Sequence, residues 1–320
     1  MGRMSSSTST KTAFLFPGQG SQFPGMGKSL ADTYPVARLT FEEADDVLGF
    51  PLSTLCFEGP EERLKLTENT QPALVAVSTA AFRVLLEKGL VADYVAGHSL
   101  GEYSALVAAG SLGFADALRL VRKRGSYMQE AVPAGVGAMA ALLKLPEDKL
   151  AGVLAEAAQG EVVEAANLNS PDQIVISGNA AAVNRACELA KAAGARRAVI
   201  LPVSAPFHCS LMKPAQARLA ADLDATPFAA LQVPLVNNWQ AREVTSGEEA
   251  RRGLFQQVPN PVRWAESVRL LASLGVRRTI EVGAGAVLTG LLKNIQPEIA
   301  GATCGEASDW EKLSHSAFPA

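Results

Sequence analysis

The run Gly97-His98-Ser99-Leu100-Gly101 sets a serine between two glycines. A short apolar stretch precedes it, and Leu100, Tyr103, Leu106 and Val107 follow at helical spacing. Strand, sharp turn and helix form the context in which Gly-x-Ser-x-Gly does chemistry. The glycines let the serine sit on a strained turn with its hydroxyl exposed, and they leave room for the helix to pack beneath. Free N–H groups and the dipole at the start of that helix favour negative charge nearby. The N–H of Leu100, directly after the serine, is placed to stabilise a tetrahedral oxyanion. Ser99 therefore reads as a nucleophile that carries an acyl group. The motif alone serves hydrolysis as well as transfer, and its bland counterpart is a glycine-rich turn with a capping serine.

A serine hydroxyl needs a base to take its proton. The histidines are His98, His208 and His315. His98 adjoins Ser99, and neighbours on a tight turn rarely face each other; His315 lies in a weakly patterned tail. Elimination leaves His208, in Ala205-Pro206-Phe207-His208, as the candidate general base, with a structural histidine as its ordinary alternative. The cysteines, Cys56, Cys187, Cys209 and Cys304, lack paired metal-ligand spacing, so no metal is expected and a reducing, cytoplasmic setting is. A formal net charge of -3 provides no overall basic field for nucleic acid or a membrane surface. No apolar stretch is long enough to span a bilayer, and the Ser/Thr-rich start lacks the apolar run of a signal peptide.

A chain of 320 residues, 48% of them hydrophobic, can build a substantial core around this motif without metals or disulfides. Strands are expected over 12–16, 94–96, 233–236 and 279–282. Helical patterns occupy 26–48, 72–86, the stretch after Ser210, and 264–274. Pro72 suits a first helical turn, where its missing N–H costs nothing. Strands alternating with helices imply a mainly parallel sheet covered on both faces. From about Gly137 the rhythm changes to strand 137–143, helix 146–158 and strands 162–168 and 173–177 around Asn169-Ser170-Pro171-Asp172. Helix 180–193 and strand 197–201 complete it. That order, β-α-β-β-α-β, is the ferredoxin-like pattern. The chain is read as α/β: a large domain over 12–131 and 205–299, with a ferredoxin-like small domain inserted at 132–204. Residues 1–11 and 300–320 are read as flexible tails.

Several further segments join the serine motif in a single order: Phe16-Pro17-Gly18-Gln19-Gly20-Ser21-Gln22, Gly97 to Tyr103, Arg124-Gly125, Asn167-Leu168-Asn169-Ser170, Phe207-His208, Leu211-Met212-Lys213-Pro214 and Asn260-Pro261-Val262-Arg263-Trp264. Together, over about 12–295, they resemble the malonyl-CoA:acyl carrier protein transacylase family. The resemblance implies an α/β-hydrolase-like large domain with a ferredoxin-like insertion, in agreement with the pattern reading. It implies a Ser99–His208 pair rather than a full triad, with His208 oriented by a main-chain carbonyl. Gln257 matches that position by spacing, beside Gln256; the role needs only a main-chain carbonyl, so the side chain's identity is expected to matter less than the path of the loop. The oxyanion hole would use the N–H groups of Gln19 and Leu100.

Arg124, within Arg122-Lys123-Arg124, would on charge pattern alone be a solvated cation at a helix end. The resemblance makes it the group that grips the free carboxylate of a malonyl donor through two parallel hydrogen bonds. Asn167 and Asn169 match positions lining the substrate cleft, although turn chemistry ahead of Pro171 explains them equally well. His98 would shape the pocket. Phe207 stands where related polyketide acyltransferases carry phenylalanine with malonyl and serine with methylmalonyl. The implied partners are malonyl-CoA and phosphopantetheinylated acyl carrier protein, with no cofactor, and the expected state is a monomer. A discrete polyketide acyltransferase, a serine thioesterase or esterase, and a non-catalytic carrier-binding scaffold are the alternatives. The co-occurrence of Ser99, His208 and Arg124 argues against the last.

Overall fold

The unbroken run Lys-Thr-Ala-Phe-Leu-Phe forms β1 (Lys11–Phe16), which is buried on both faces. Phe14 and Phe16 enter one apolar core, and Ala13 and Leu15 enter another on the opposite side of the sheet. Such burial is what a central parallel strand requires. A computed structural model describes residues 10–133, 135–203 and 205–315. β2 (Tyr94–Gly97) lies parallel to β1 with Phe16 opposite Gly97, so the two strands end together.

The next strands build a separate sheet. β3 (Gly137–Leu143), β4 (Val163–Ser170), β5 (Gln173–Asn179) and β6 (Arg197–Ile200) pair antiparallel in the order β4-β5-β3-β6, with helices Leu150–Ala158 and Ala180–Ala192 between them in sequence. This is the ferredoxin-like arrangement. Its two faces differ: Ala140, Leu142, Ile174 and Ile176 pack among the helices of their own layer, while Met139, Ala141 and Val175 join the main core of the large sheet.

The chain then returns to the first sheet with β7 (Leu235–Val236), β8 (Glu243–Val244), β9 (Val276–Val282) and β10 (Ala300–Cys304). The full order is β10-β9-β1-β2-β7-β8, parallel except for the β7–β8 pair. β4 also touches this body: the Leu168 N–H donates to the Val262 carbonyl and the Val262 N–H to the Ala166 carbonyl, each at 2.9 Å.

The structure corrects two expectations. Residues 300–304 are not a tail but the parallel edge strand β10, followed by helix Ala307–His315. Ala300-Gly301-Ala302-Thr303-Cys304 carries no alternating apolar pattern, because its place comes from the backbone ladder on β9 and close packing of small residues. At Gly301 an added Cβ would lie 3.0 Å from Leu292. Lys11, assigned to the first tail, is paired in β1; residues 1–9, 316–320 and the boundary residue 204 lie outside the described residues. Secondly, Pro72 is not in a first turn. The helix runs Thr67–Glu87 with Pro72 inside it. Its missing N–H would leave the Glu68 carbonyl unpaired, and Arg122 Nη1 donates to that carbonyl at 2.9 Å.

Candidate active site

Ser99 lies at the carboxyl end of β2, in the turn before helix Gly101–Ala108, with φ 51°. A serine in the left-handed region is strained and persists only where its surroundings hold it. Here the Asn238 side chain spans the turn: its Oδ1 accepts from the Ser99 N–H at 2.6 Å and its Nδ2 donates to the Gly97 carbonyl at 2.6 Å. The flanking glycines are compulsory. A Cβ on Gly97 would sit 2.0 Å from the Gly101 carbonyl, and one on Gly101 would sit 2.0 Å from the Phe16 carbonyl oxygen. Among the described residues neither the Leu100 nor the Gln19 N–H has an acceptor. Gln19 sits in the loop after β1, half-buried, with its side chain donating to Thr67 Oγ1 at 3.2 Å.

His208, far along the chain, reaches the serine. Its Nε2 is 2.7 Å from Ser99 Oγ and its Nδ1 is 2.9 Å from the Gln257 carbonyl oxygen. A carbonyl only accepts, which assigns the ring proton to Nδ1 and leaves Nε2 free to accept from the hydroxyl. Gln257 ends the helix Gly247–Gln257. Its carbonyl is therefore one of the last-turn acceptors without an intrahelical donor. His208 also has a left-handed backbone, φ 59°. Burial, then the nearby Arg124 cation, push its pKa down to about 3, so the imidazole is neutral and able to take a proton.

Arg124 is not a solvated helix-end charge. It lies within helix Phe114–Glu130, 2% exposed. The helix approaches Thr67–Glu87 so closely that a Cβ on Gly125 would meet the Thr67 carbonyl oxygen at 2.7 Å. The guanidinium donates to Gln71 Oε1 at 2.8 Å, Gln257 Oε1 at 2.9 Å and Ser99 Oγ at 3.2 Å. All three acceptors are neutral, and Arg124 is in no salt bridge among the described residues. Burial pushes its pKa down. A buried cation lacking a bonded anion, beside a serine hydroxyl that faces a neutral imidazole, is a ready anion site.

Of the other candidates, His98 and Asn169 meet: His98 Nε2 is 2.8 Å from Asn169 Oδ1, and the imidazole stands edge-on to Trp264 with ring centroids 5.5 Å apart. Burial holds the His98 pKa below its usual value. Asn169 is a strand residue of β4, not part of the turn. Asn167, buried on the same strand, sits opposite Val262, and Phe207 is packed into the main core; neither is bonded to Ser99, His208 or Arg124. Beyond the carbonyl that meets His208, the Gln257 side chain joins Arg124 to Glu102, donating to Glu102 Oε2 at 2.9 Å. The sequence assigns no site role to Gln71, Glu102 or Asn238. The available signals were a glutamine at the junction between a polar helix start, Thr67 to Thr70, and the apolar run from Ala73, and a glutamate inside the serine motif. Among the described residues no group of three or more side chains could hold a metal ion, and no helix is long and apolar enough to cross a membrane.

The acyl transferase domain family model matches residues 13–304. Malonyl CoA-acyl carrier protein transacylase of Escherichia coli (strain K12) is 50% identical over 300 residues, 93% of this chain and 97% of that protein. An acyl carrier protein S-malonyltransferase of Vibrio cholerae has a similar crystal structure, with TM-score 0.93 and 48% identity over 95% of this chain and 100% of that one. A malonyl-transacylase solved in complex with its type II polyketide acyl-carrier protein also scores 0.93, at 47% identity over 95% and 98%. Matched along almost all of its length in both sequence and fold, the chain belongs to the acyl transferase family, among the malonyl CoA-acyl carrier protein transacylases.

Proposed function

We propose that the protein moves a malonyl group from malonyl-CoA to the phosphopantetheine thiol of acyl carrier protein, holding it in between as an ester on Ser99. The observation that carries this reading is Arg124, a buried guanidinium hydrogen-bonded only to neutral groups among the described residues, 3.2 Å from Ser99 Oγ. An acyl donor with a free carboxylate supplies the missing anion and is thereby oriented over the nucleophile. The named activity of the relatives agrees.

In the first half-reaction Ser99 Oγ attacks the thioester carbon while its proton passes to His208 Nε2. The developing oxyanion takes the N–H groups of Gln19 and Leu100. The C–S bond breaks, and His208 returns the proton to the leaving thiolate, giving free coenzyme A. In the second half the carrier thiol cedes its proton to His208 and attacks the ester. The C–Oγ bond breaks, Ser99 regains its proton, and malonyl-carrier leaves to feed fatty acid biosynthesis. No step needs a cofactor. His98, Asn167, Asn169 and Phe207 form the walls around the acyl group. The large body (12–131 and 205–299, now extended through β10) and the small unit (132–204) close on it from two sides. The four cysteines, buried and unpaired, suit a cytoplasmic setting.

Intact-mass measurement after incubation with malonyl-CoA tests the reading. A malonyl adduct is expected on the wild type and not on Ser99→Ala. No adduct, or one that survives that substitution, overturns it.

A further inference from the structure

Glu102 lies three residues after Ser99 and is fully buried. A carboxylate so placed is costly unless its oxygens are used. Oε2 is used twice: it accepts from the Asn238 N–H at 3.0 Å and from Gln257 Nε2 at 2.9 Å. Each partner reaches the reacting centre in one further step. Asn238 continues through its side chain to the Ser99 N–H and the Gly97 carbonyl. Gln257 continues through Oε1 to Arg124 and through its main-chain carbonyl to His208. A side-chain amide has one end that donates and one that accepts. Glu102 takes the donating end of Gln257, so the accepting end is left turned to the guanidinium. The other carboxylate oxygen, Oε1, has no hydrogen-bond partner among the described residues; Glu102 is hydrogen-bonded through Oε2 to these two groups, and the Arg124 cation acts on it through charge.

We propose that Glu102 is a positioning residue for acyl transfer, which holds the Arg124 fork, the His208 base and the Ser99 turn in mutual register by anchoring Gln257 and Asn238 through one oxygen. The proposal rests on the malonyl-transfer reading above. Its content is geometric: what matters is where the acceptor oxygen stands. The competing role, a counter-charge for Arg124, requires only a negative charge nearby.

Two substitutions separate these roles. Glu102→Gln keeps the reach and an acceptor oxygen but removes the charge. Glu102→Asp keeps the charge but withdraws the oxygens by one methylene. The measurement is the rate of malonyl and of acetyl loading onto Ser99, per active site counted by intact mass at saturating malonyl-CoA. Glu102→Asp is expected to lower kcat/KM for malonyl loading about a hundredfold, the cost of a ~1 Å misplacement, and to shrink the malonyl-over-acetyl preference. Glu102→Gln is expected to stay within about threefold of wild type in both. The opposite order overturns the proposal in favour of the counter-charge. Wild-type rates per active site in both variants overturn it in favour of packing alone, even with a lowered Tm. Where Glu102→Asp does not fold, Gln257→Leu cuts the same link from its other end; an unchanged preference there overturns the proposal. If wild type forms no malonyl adduct, the malonyl-transfer reading fails before any variant is compared.

Discussion

Arg124 is the residue whose environment most narrowly defines a ligand. Its bonds go to Gln71, Gln257 and Ser99, none of them charged. Removing a buried partner of a substrate charge typically costs 2–5 kcal/mol. Arg124→Ala is therefore expected to slow malonyl loading roughly a hundred- to a thousandfold, and acetyl loading by less than about tenfold. Parallel stopped assays with the two thioesters measure the ratio, and an equal fall for both would count against carboxylate recognition. Two buried titratable groups beside Arg124 pull stability in opposite directions with pH. His208 is neutral in the folded state, its pKa lowered by burial and then by Arg124 to about 3. Its stabilising contribution is present above the unfolded pKa and is lost as pH falls below about 6.5. Glu102 is the converse: burial raises its pKa to about 7, against the hydrogen bonds that favour the anion. Its contribution is full below about pH 4.5 and is lost as pH rises through about 7. The neutral substitution Glu102→Gln should therefore gain up to about 3 kcal/mol relative to wild type at pH 8 compared with pH 4. Urea titrations at the two pH values check it, and a pH-independent difference would contradict the sign.

At the scale of elements, the site depends on two helices that break ordinary rules. The turn from β2 into Gly101–Ala108 has no room for side chains at Gly97 or Gly101, because the helix start lies against the ends of β1 and β2. Helix Thr67–Glu87, which holds Gln71 under Arg124, continues through Pro72 because Arg122 supplies the donor that proline lacks. Arg122→Met should destabilise the protein by about 1–3 kcal/mol, the cost of an orphaned acceptor. Pro72→Ala restores an N–H for the Glu68 carbonyl, so the same substitution should cost less in that background. Denaturant midpoints of the four proteins in this cycle decide it; additive effects would separate Arg122 from the proline.

At the scale of the whole molecule, the small sheet helps to place His208. Glu164 on β4 accepts from the Ser210 N–H and hydroxyl, each at 2.8 Å, two residues past His208. Ser177 on β5 donates to Cys209 Sγ at 3.6 Å. The loop carrying His208 at φ 59° is thus tied to the antiparallel sheet, while Ser99 belongs to the parallel one. Glu164→Leu should lower the acylation kcat about tenfold with little change in KM, since it loosens the base without touching the carboxylate clamp. A rise in KM with kcat unchanged would contradict this placement.

The sequence by itself determined whatever depends on near neighbours. The serine turn, the β-α-β-β-α-β order and most strand positions follow from periods of two and 3.6 and from glycine and proline chemistry. Ser99, His208 and the Gln257 carbonyl were legible because a motif, an elimination among three histidines and a family resemblance each narrowed the choice. Only the tertiary structure decided the rest. β10 has no apolar alternation to betray it, since its order comes from the ladder on β9. For Arg124 the family resemblance named the residue against its charge pattern, but its burial and its partners, 53 and 133 residues away, come only from the fold. The same distance hid Gln71, Asn238 and Glu102. A buried polar side chain is defined by the donor or acceptor brought to it in space, and local pattern carries no record of that partner.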